Sequence, residues 1–230
     1  MNKRYFLSII GTIVVCIITS CGGGKSNSPS SDNATTKKGL FADVMTLIQE
    51  YQDKNEELSI KMQAAVGAQD ADKLEKLLKE EKTLKPEFNE KLAALSKKLT
   101  GTPIDYELPD SFFFQIVNKP TITEVTPNGL NATGHIQLTI ASKKDLNVGK
   151  YKGDDYRVYI KLIDDAGNTL SYNAYPTVKN DLAPQVIKAG QILEPINIYI
   201  VLSLHKRTTQ AHLAKIVFVT EKEWQETLKH

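Results

Sequence analysis

The apolar residues of this chain change period at Gly101-Thr102-Pro103, and that change limits the possible folds more than any single motif. From Gly39 to Leu99 they recur in steps of three and four, through Phe41, Val44, Ile48, Tyr51, Leu58, Met62 and Ala65, with one polar member, Asn55. That spacing lays one apolar stripe along a helix. Beyond Pro103 they alternate in short runs rich in β-branched and aromatic residues, split by glycine, asparagine and aspartate, as half-buried strands do. Helices first and strands second, without interleaving, read as α+β rather than as the repeating unit of a parallel sheet.

The helical part divides at Gly67-Ala68-Gln69, with Asp70 placed to cap a second helix whose apolar side is Leu74, Leu78, Leu84, Phe88, Leu92, Leu95 and Leu99. Two helices of about 28 to 30 residues, each about 42 to 45 Å long, should fold back as an antiparallel, coiled-coil-like hairpin over residues 39–100. Centring the turn near Ala68 sets Phe41 against Leu95, Val44 against Leu92, Ile48 against Phe88, Leu58 against Leu78 and Met62 against Leu74. Asn55 then meets Glu81 in a polar layer, a structural device that rejects slipped pairings at a cost in stability. Pro86 removes a backbone donor inside the second helix, so a kink or restart is expected there. Leu40, Phe41, Val44, Met45, Leu47 and Ile48 make a face broader than one partner helix covers. That end should dock on the following domain, the alternative being a partner groove or an oligomer seam.

Within residues 101–220 the alternation predicts strands at Phe112–Val117, Thr121–Thr126, His135–Ala141, Tyr156–Ile163, Thr169–Tyr172, Gln185–Lys188, Ile196–Leu202 and Leu213–Val219. Ile136, Leu138 and Ile140, then Val158, Ile160 and Leu162, then Ile196, Ile198, Ile200 and Leu202 form the inward rows. Seven or eight short strands over about 115 residues favour an antiparallel sandwich. Residues 221–230 read as a short helix or tail, with Trp224 capping the core.

The first 20 residues follow a different order: Lys3 and Arg4, an apolar run from Phe6 to Ile18, then Ile18-Thr19-Ser20-Cys21. An apolar run of about 13 residues falls short of the roughly 20 that span a bilayer. The segment resembles the signal peptide and lipobox of bacterial lipoproteins. That resemblance implies diacylation of the Cys21 sulfur, cleavage just before it and N-acylation afterwards. With about 0.8 kcal/mol per buried methylene and only marginal binding from one chain, two or three acyl chains would hold the protein on a membrane. The alternative is an uncleaved anchor. The other cysteine, Cys16, would leave with the leader, so no internal disulfide is expected. So would Lys3 and Arg4, which takes the basic count from 29 to 27 against 27 acidic residues. A neutral chain gives no support for nucleic-acid binding.

Residues 21–38 hold the lipidated cysteine and a glycine, serine, asparagine and threonine tether with a reach of about 23 Å. In enteric bacteria an aspartate after the lipidated cysteine retains lipoproteins in the inner membrane. Gly22 lacks that signal, so the resemblance implies the outer membrane. Surface export in some lineages uses an acidic cluster near the cysteine, where this chain has only Asp32, which favours the periplasmic side.

Ile160-Lys161-Leu162-Ile163-Asp164, followed by Ala166-Gly167-Asn168, resembles the Phe-x-Leu-Tyr-Asp strand and glycine turn of small immunoglobulin-like domains of bacterial lipoproteins. Leu162 and Asp164 match, Ile160 and Ile163 replace the aromatics, and the similarity covers one hairpin. It implies an immunoglobulin-like sandwich with an interaction role and no shared catalytic residues.

Candidate chemistry is sparse. Asp164, Asp165, Gly167 and Asn168 lack the Asp/Asn ladder and bidentate Glu of a calcium loop and read as a turn. His135, His205, His212 and His230 have no zinc spacing, so neither a metal nor another cofactor is called for. There is no nucleophile elbow, phosphate loop or reactive cysteine, and Asp154-Asp155 would point to opposite faces of a strand. A hydrolase of envelope polymers would need acidic side chains converging from elsewhere. The remaining candidates are Lys206 and Arg207 between the last strands, with Tyr151, Tyr172 and Tyr175 near loops, which together could grip an anionic glycan or a protein loop. The expectation is therefore a non-catalytic binding module for another envelope macromolecule. Its rival is an architectural protein that assembles through the helices.

Overall fold

The computed structural model describes residues 39–148, 156–176, 185–204 and 212–227, all within one compact unit, Lys37–His230. Two helices, α1 (Ala42–Gly67) and α2 (Ala71–Leu99), precede a sheet-rich region, so the chain is α+β. Asp70 caps α2 as its sequence position suggests, its carboxylate accepting from the Lys73 N–H at 3.0 Å. At the turn, Gly67 ends α1 in ordinary geometry, and Gln69 takes the left-handed conformation at φ 57°.

The stripe along α1 buries Phe41, Val44, Leu47, Ile48, Tyr51, Leu58 and Ala65; that along α2 buries Leu74, Leu77, Leu84, Phe88 and Leu92. Tyr51 packs edge-on against Phe88 with ring centroids 5.6 Å apart, one helical turn beyond the Ile48 expected opposite that ring. Above them Glu50 holds Lys54 at 2.8 Å and Lys91 at 3.2 Å, and both ammonium groups lie over the Tyr51 ring.

Two expectations about the helices need correction. Asn55 is exposed, Glu81 is half-buried, and no hydrogen bond among the described residues joins them, so they form no polar layer. Two helices bury only a narrow stripe, and with no third surface over Asn55 its side chain stays in water. Leu77 rather than Leu78 is buried beside Leu74 in the first turns of α2. Of the kink or restart expected at Pro86, the restart does not occur: the helix runs unbroken across it. The proline ring stands on the exposed face, where water can reach the carbonyl that loses its donor.

Among the described residues nine strands follow: β1 (Asp105–Glu107), β2 (Phe114–Asn128), β3 (Asn131–Ser142), β4 (Leu146–Val148), β5 (Arg157–Asp164), β6 (Thr169–Pro176), β7 (Gln185–Ile187), β8 (Ile196–Leu202) and β9 (Leu213–Val219). They form a four-stranded sheet in the order β1-β9-β5-β6, a three-stranded sheet β2-β3-β8 and a two-stranded ladder β4-β7. Every pair is antiparallel except β1 with β9. The strands expected at Phe112–Val117 and Thr121–Thr126 are one long strand, β2, because three register shifts carry the ladder past Pro120 without ending it. β1 and β4, three residues each, were too short to leave an alternation.

An aromatic cluster joins the two larger sheets: Phe114 of β2 meets Phe218 of β9 at 5.5 Å, with Phe112 against both. The inward rows of β3, β5 and β8 are buried as their alternation requires. At the far end of β2 and β3 the same inner face meets the helices. There Phe41 rests on Gly134, Ser96 Oγ accepts from the Val125 N–H at 2.7 Å, and Gln52 donates to Asn131 at 2.8 Å. The broad apolar end of α1 is thus covered by the sheet of its own chain. After β9, α3 (Glu221–Thr227) is opened by a reciprocal cap. The Thr220 N–H donates to Glu223 at 2.8 Å and the Glu223 N–H to Thr220 Oγ1 at 3.2 Å. Trp224 then lies on Tyr159 at 5.1 Å. Tyr159 alternates with Val158 and Ile160 of the inner row, so Trp224 covers the outer face of the four-stranded sheet rather than capping the core.

Candidate functional site

The strands β6 and β8 each stand at one edge of their sheet, and they carry Tyr172 and Tyr175 on β6 and Tyr199 on β8. Tyr172 pairs with Lys161 and Tyr175 with Val158. Being three residues apart in a strand, they point to opposite faces. Tyr172 is exposed on the outer face beside Lys161, whereas Tyr175 shares the face of the inward Val158 and is half-buried. The two tyrosines therefore do not form one flat surface. Burial pushes the Tyr175 phenol up to about 12, and the neighbouring Tyr199 phenol adds to the effect.

Tyr199 is 57% exposed, the most open aromatic ring of the strands. It stands edge-on to His135 at 5.1 Å, in a row with Asn197 and Val201 on the outer face of the three-stranded sheet. Beneath it His135 Nε2 meets Thr126 Oγ1 at 2.8 Å, and its Nδ1 lies 3.7 Å from Glu124. The signal for this row was present in the alternation: once Ile196, Ile198, Ile200 and Leu202 face inward, Asn197, Tyr199 and Val201 must face out. The surface offers flat apolar area with a phenol and an imidazole at its edge, suited to binding rather than to bond breaking.

Tyr151, Lys206 and Arg207 lie outside the described residues, as do Cys21 and the whole of residues 1–38. The turn at Asp164 is used structurally. Its carboxylate accepts from the Ala166 N–H at 3.0 Å, the Asn168 N–H at 2.7 Å and Asn168 Nδ2 at 3.1 Å, while Gly167 takes φ 86°. Those bonds, that of the Asn168 side chain foremost, hold the Asp164 carboxyl below the usual carboxylate range. They also occupy the oxygens a calcium ion would need.

A concavity of about 500 Å³ opens between α2 and β2 among Asn89, Ser96, Thr100, Glu124 and Pro127. Most of its polar groups are already committed: Ser96 Oγ to Val125, and Thr100 Oγ1 to Ser96 and Thr123. Asn89 Oδ1 is buried without a partner among the described residues. No group of three or more metal-ligating side chains occurs among the described residues, and none of their helices is long and apolar enough to cross a membrane. No protein-family model matches the chain, and no curated protein matches it.

Proposed function

We propose that the protein is a lipid-anchored component of a bacterial cell envelope, held through Cys21, in which an immunoglobulin-like sandwich binds another envelope macromolecule, protein or glycan, without catalysis. The observation that carries the binding role is the exposed ring of Tyr172 on the outer face at the β6 margin, beside Lys161. Tyrosine supplies contact area at little entropic cost, which suits a recognition surface. The antiparallel sheets and the Asp164 turn support the sandwich reading, and the Tyr51–Phe88 and Glu50–Lys91 contacts support an antiparallel helical hairpin. In this reading the hairpin buttresses the sheet, since its apolar end lies on Gly134. The lipobox and Gly22 support anchoring at the outer membrane, facing the periplasm.

Two measurements test the proposal. Cys21→Ser should leave the membrane fraction under carbonate washing, and retention there would overturn the anchor. A photo-crosslinking residue at Tyr172 should capture a defined envelope component in cells, while one at exposed Ile60 at the far end of α1 should not. Equal capture at both positions would overturn the binding surface.

A further inference from the structure

The two larger sheets have four outer strands, and the described residues protect three of them. Along β2, Gly101 and Ile104 donate to Ile122 and Pro120, the Ile122 N–H donates back to Thr102, and three register shifts and two prolines distort the strand. β1 is only three residues long. β6 has a register shift near its start and Pro176 at its end. β8 differs: it pairs with β3 over seven consecutive positions without a shift, contains neither proline nor a charged residue, and has no second partner among the described residues. Long, regular, uncharged edges are what folded proteins avoid leaving open, because their unpaired backbone groups template another strand.

The geometry points to a second copy of this chain as the occupant of the β8 edge, added antiparallel about a two-fold axis at Tyr199. Full overlap of a seven-residue strand with itself fixes the register: Ile196 opposite Leu202 of the second copy, Asn197 opposite Val201, Ile198 opposite Ile200 and Tyr199 opposite Tyr199. Residues directly opposite share a face. The inward rows then join as one apolar row, and the outward rows place two exposed tyrosines side by side with no charge to repel. A two-fold contact needs such self-complementarity, and the uncharged outward row of β8 meets its own copy without opposing like charges. The product is one continuous six-stranded sheet. This inference depends neither on the lipid anchor nor on what Tyr172 binds.

The test uses the full chain in neutral detergent, with mass measured by sedimentation across a concentration series. Wild type should form a dimer. N197K/V201K, both at exposed positions, places lysine opposite lysine and should raise the dissociation constant by about tenfold or more. N197K/V201E places lysine opposite glutamate in this register alone and should restore the dimer, with circular dichroism confirming that each variant is folded. A wild type that stays monomeric overturns the inference. So does a dimer unmoved by the paired lysines, which would locate the contact elsewhere, or a folded lysine–glutamate variant that fails to reassociate.

Discussion

A methyl group built on Gly134 would fall 2.9 Å from Cζ and 3.1 Å from Cε1 of Phe41, the first buried residue of the helical region. The glycine is what lets the helical pair sit on the sheet. Phe41 has no exposure, so its ring cannot swing aside. Gly134→Ala should destabilise by about 1 to 3 kcal/mol through overpacking, and Phe41→Ala by about 3 to 5 kcal/mol through the cavity it leaves. Phe41→Leu combined with Gly134→Ala should cost less than the sum of the two single changes, because the residues share one space. Urea denaturation checks all of these.

The turn between α1 and α2 holds an easily reached gain. Gln69 sits at φ 57°, where a side chain costs about 1 kcal/mol and glycine nothing comparable. Gln69→Gly should raise stability by about 0.5 to 1 kcal/mol, read as an increase in Tm.

Asn55 provides the complementary control. Because its side chain is exposed, Asn55→Ala should shift stability by no more than about 0.5 kcal/mol and leave the oligomeric state unchanged. A larger loss in urea unfolding would return Asn55 to the seam.

Tyr175 sets an alkaline limit. Its folded phenol titrates at about 12, against about 10 for an unfolded chain. Between those values the unfolded chain has lost a proton that the folded chain still holds, so stability falls as pH rises through that window and is unaffected below it. Tyr175→Phe should remove that part of the slope. Ultraviolet titration of the wild type should show one late-ionising tyrosine that the variant lacks.

Trp224 is the only tryptophan, so its emission reports the docking of α3 on Tyr159. Thr220→Ala deletes one half of the reciprocal cap and should shift that emission to the red and open the ring to iodide quenching. Glu223 has its carboxyl held low by the Thr220 backbone bond. The cap is therefore complete above the ordinary glutamate range and is lost as pH falls through the lowered value, so the same red shift should appear in acid.

Periodicity alone was enough to place both helices and most strands, since a stripe of 3.6 residues or an alternation of two is a local property of the chain. It gave the inward rows of β3, β5 and β8, and with them the outward row of Asn197, Tyr199 and Val201. The Asp70 cap was legible for the same reason: the capping group and the donor it satisfies are three residues apart. Tertiary structure decided what period cannot carry. Whether Asn55 is covered depends on how many surfaces surround α1, and whether Pro86 breaks a helix depends on which face it occupies. Joining two expected strands into β2 required β3 as a template beside them. Which strands end up at the sheet margins, β6 with Tyr172 and Tyr175 and β8 with Tyr199, was likewise a matter of strand order. That order is set by contacts between residues far apart in the chain, for which a single sequence holds no local signal.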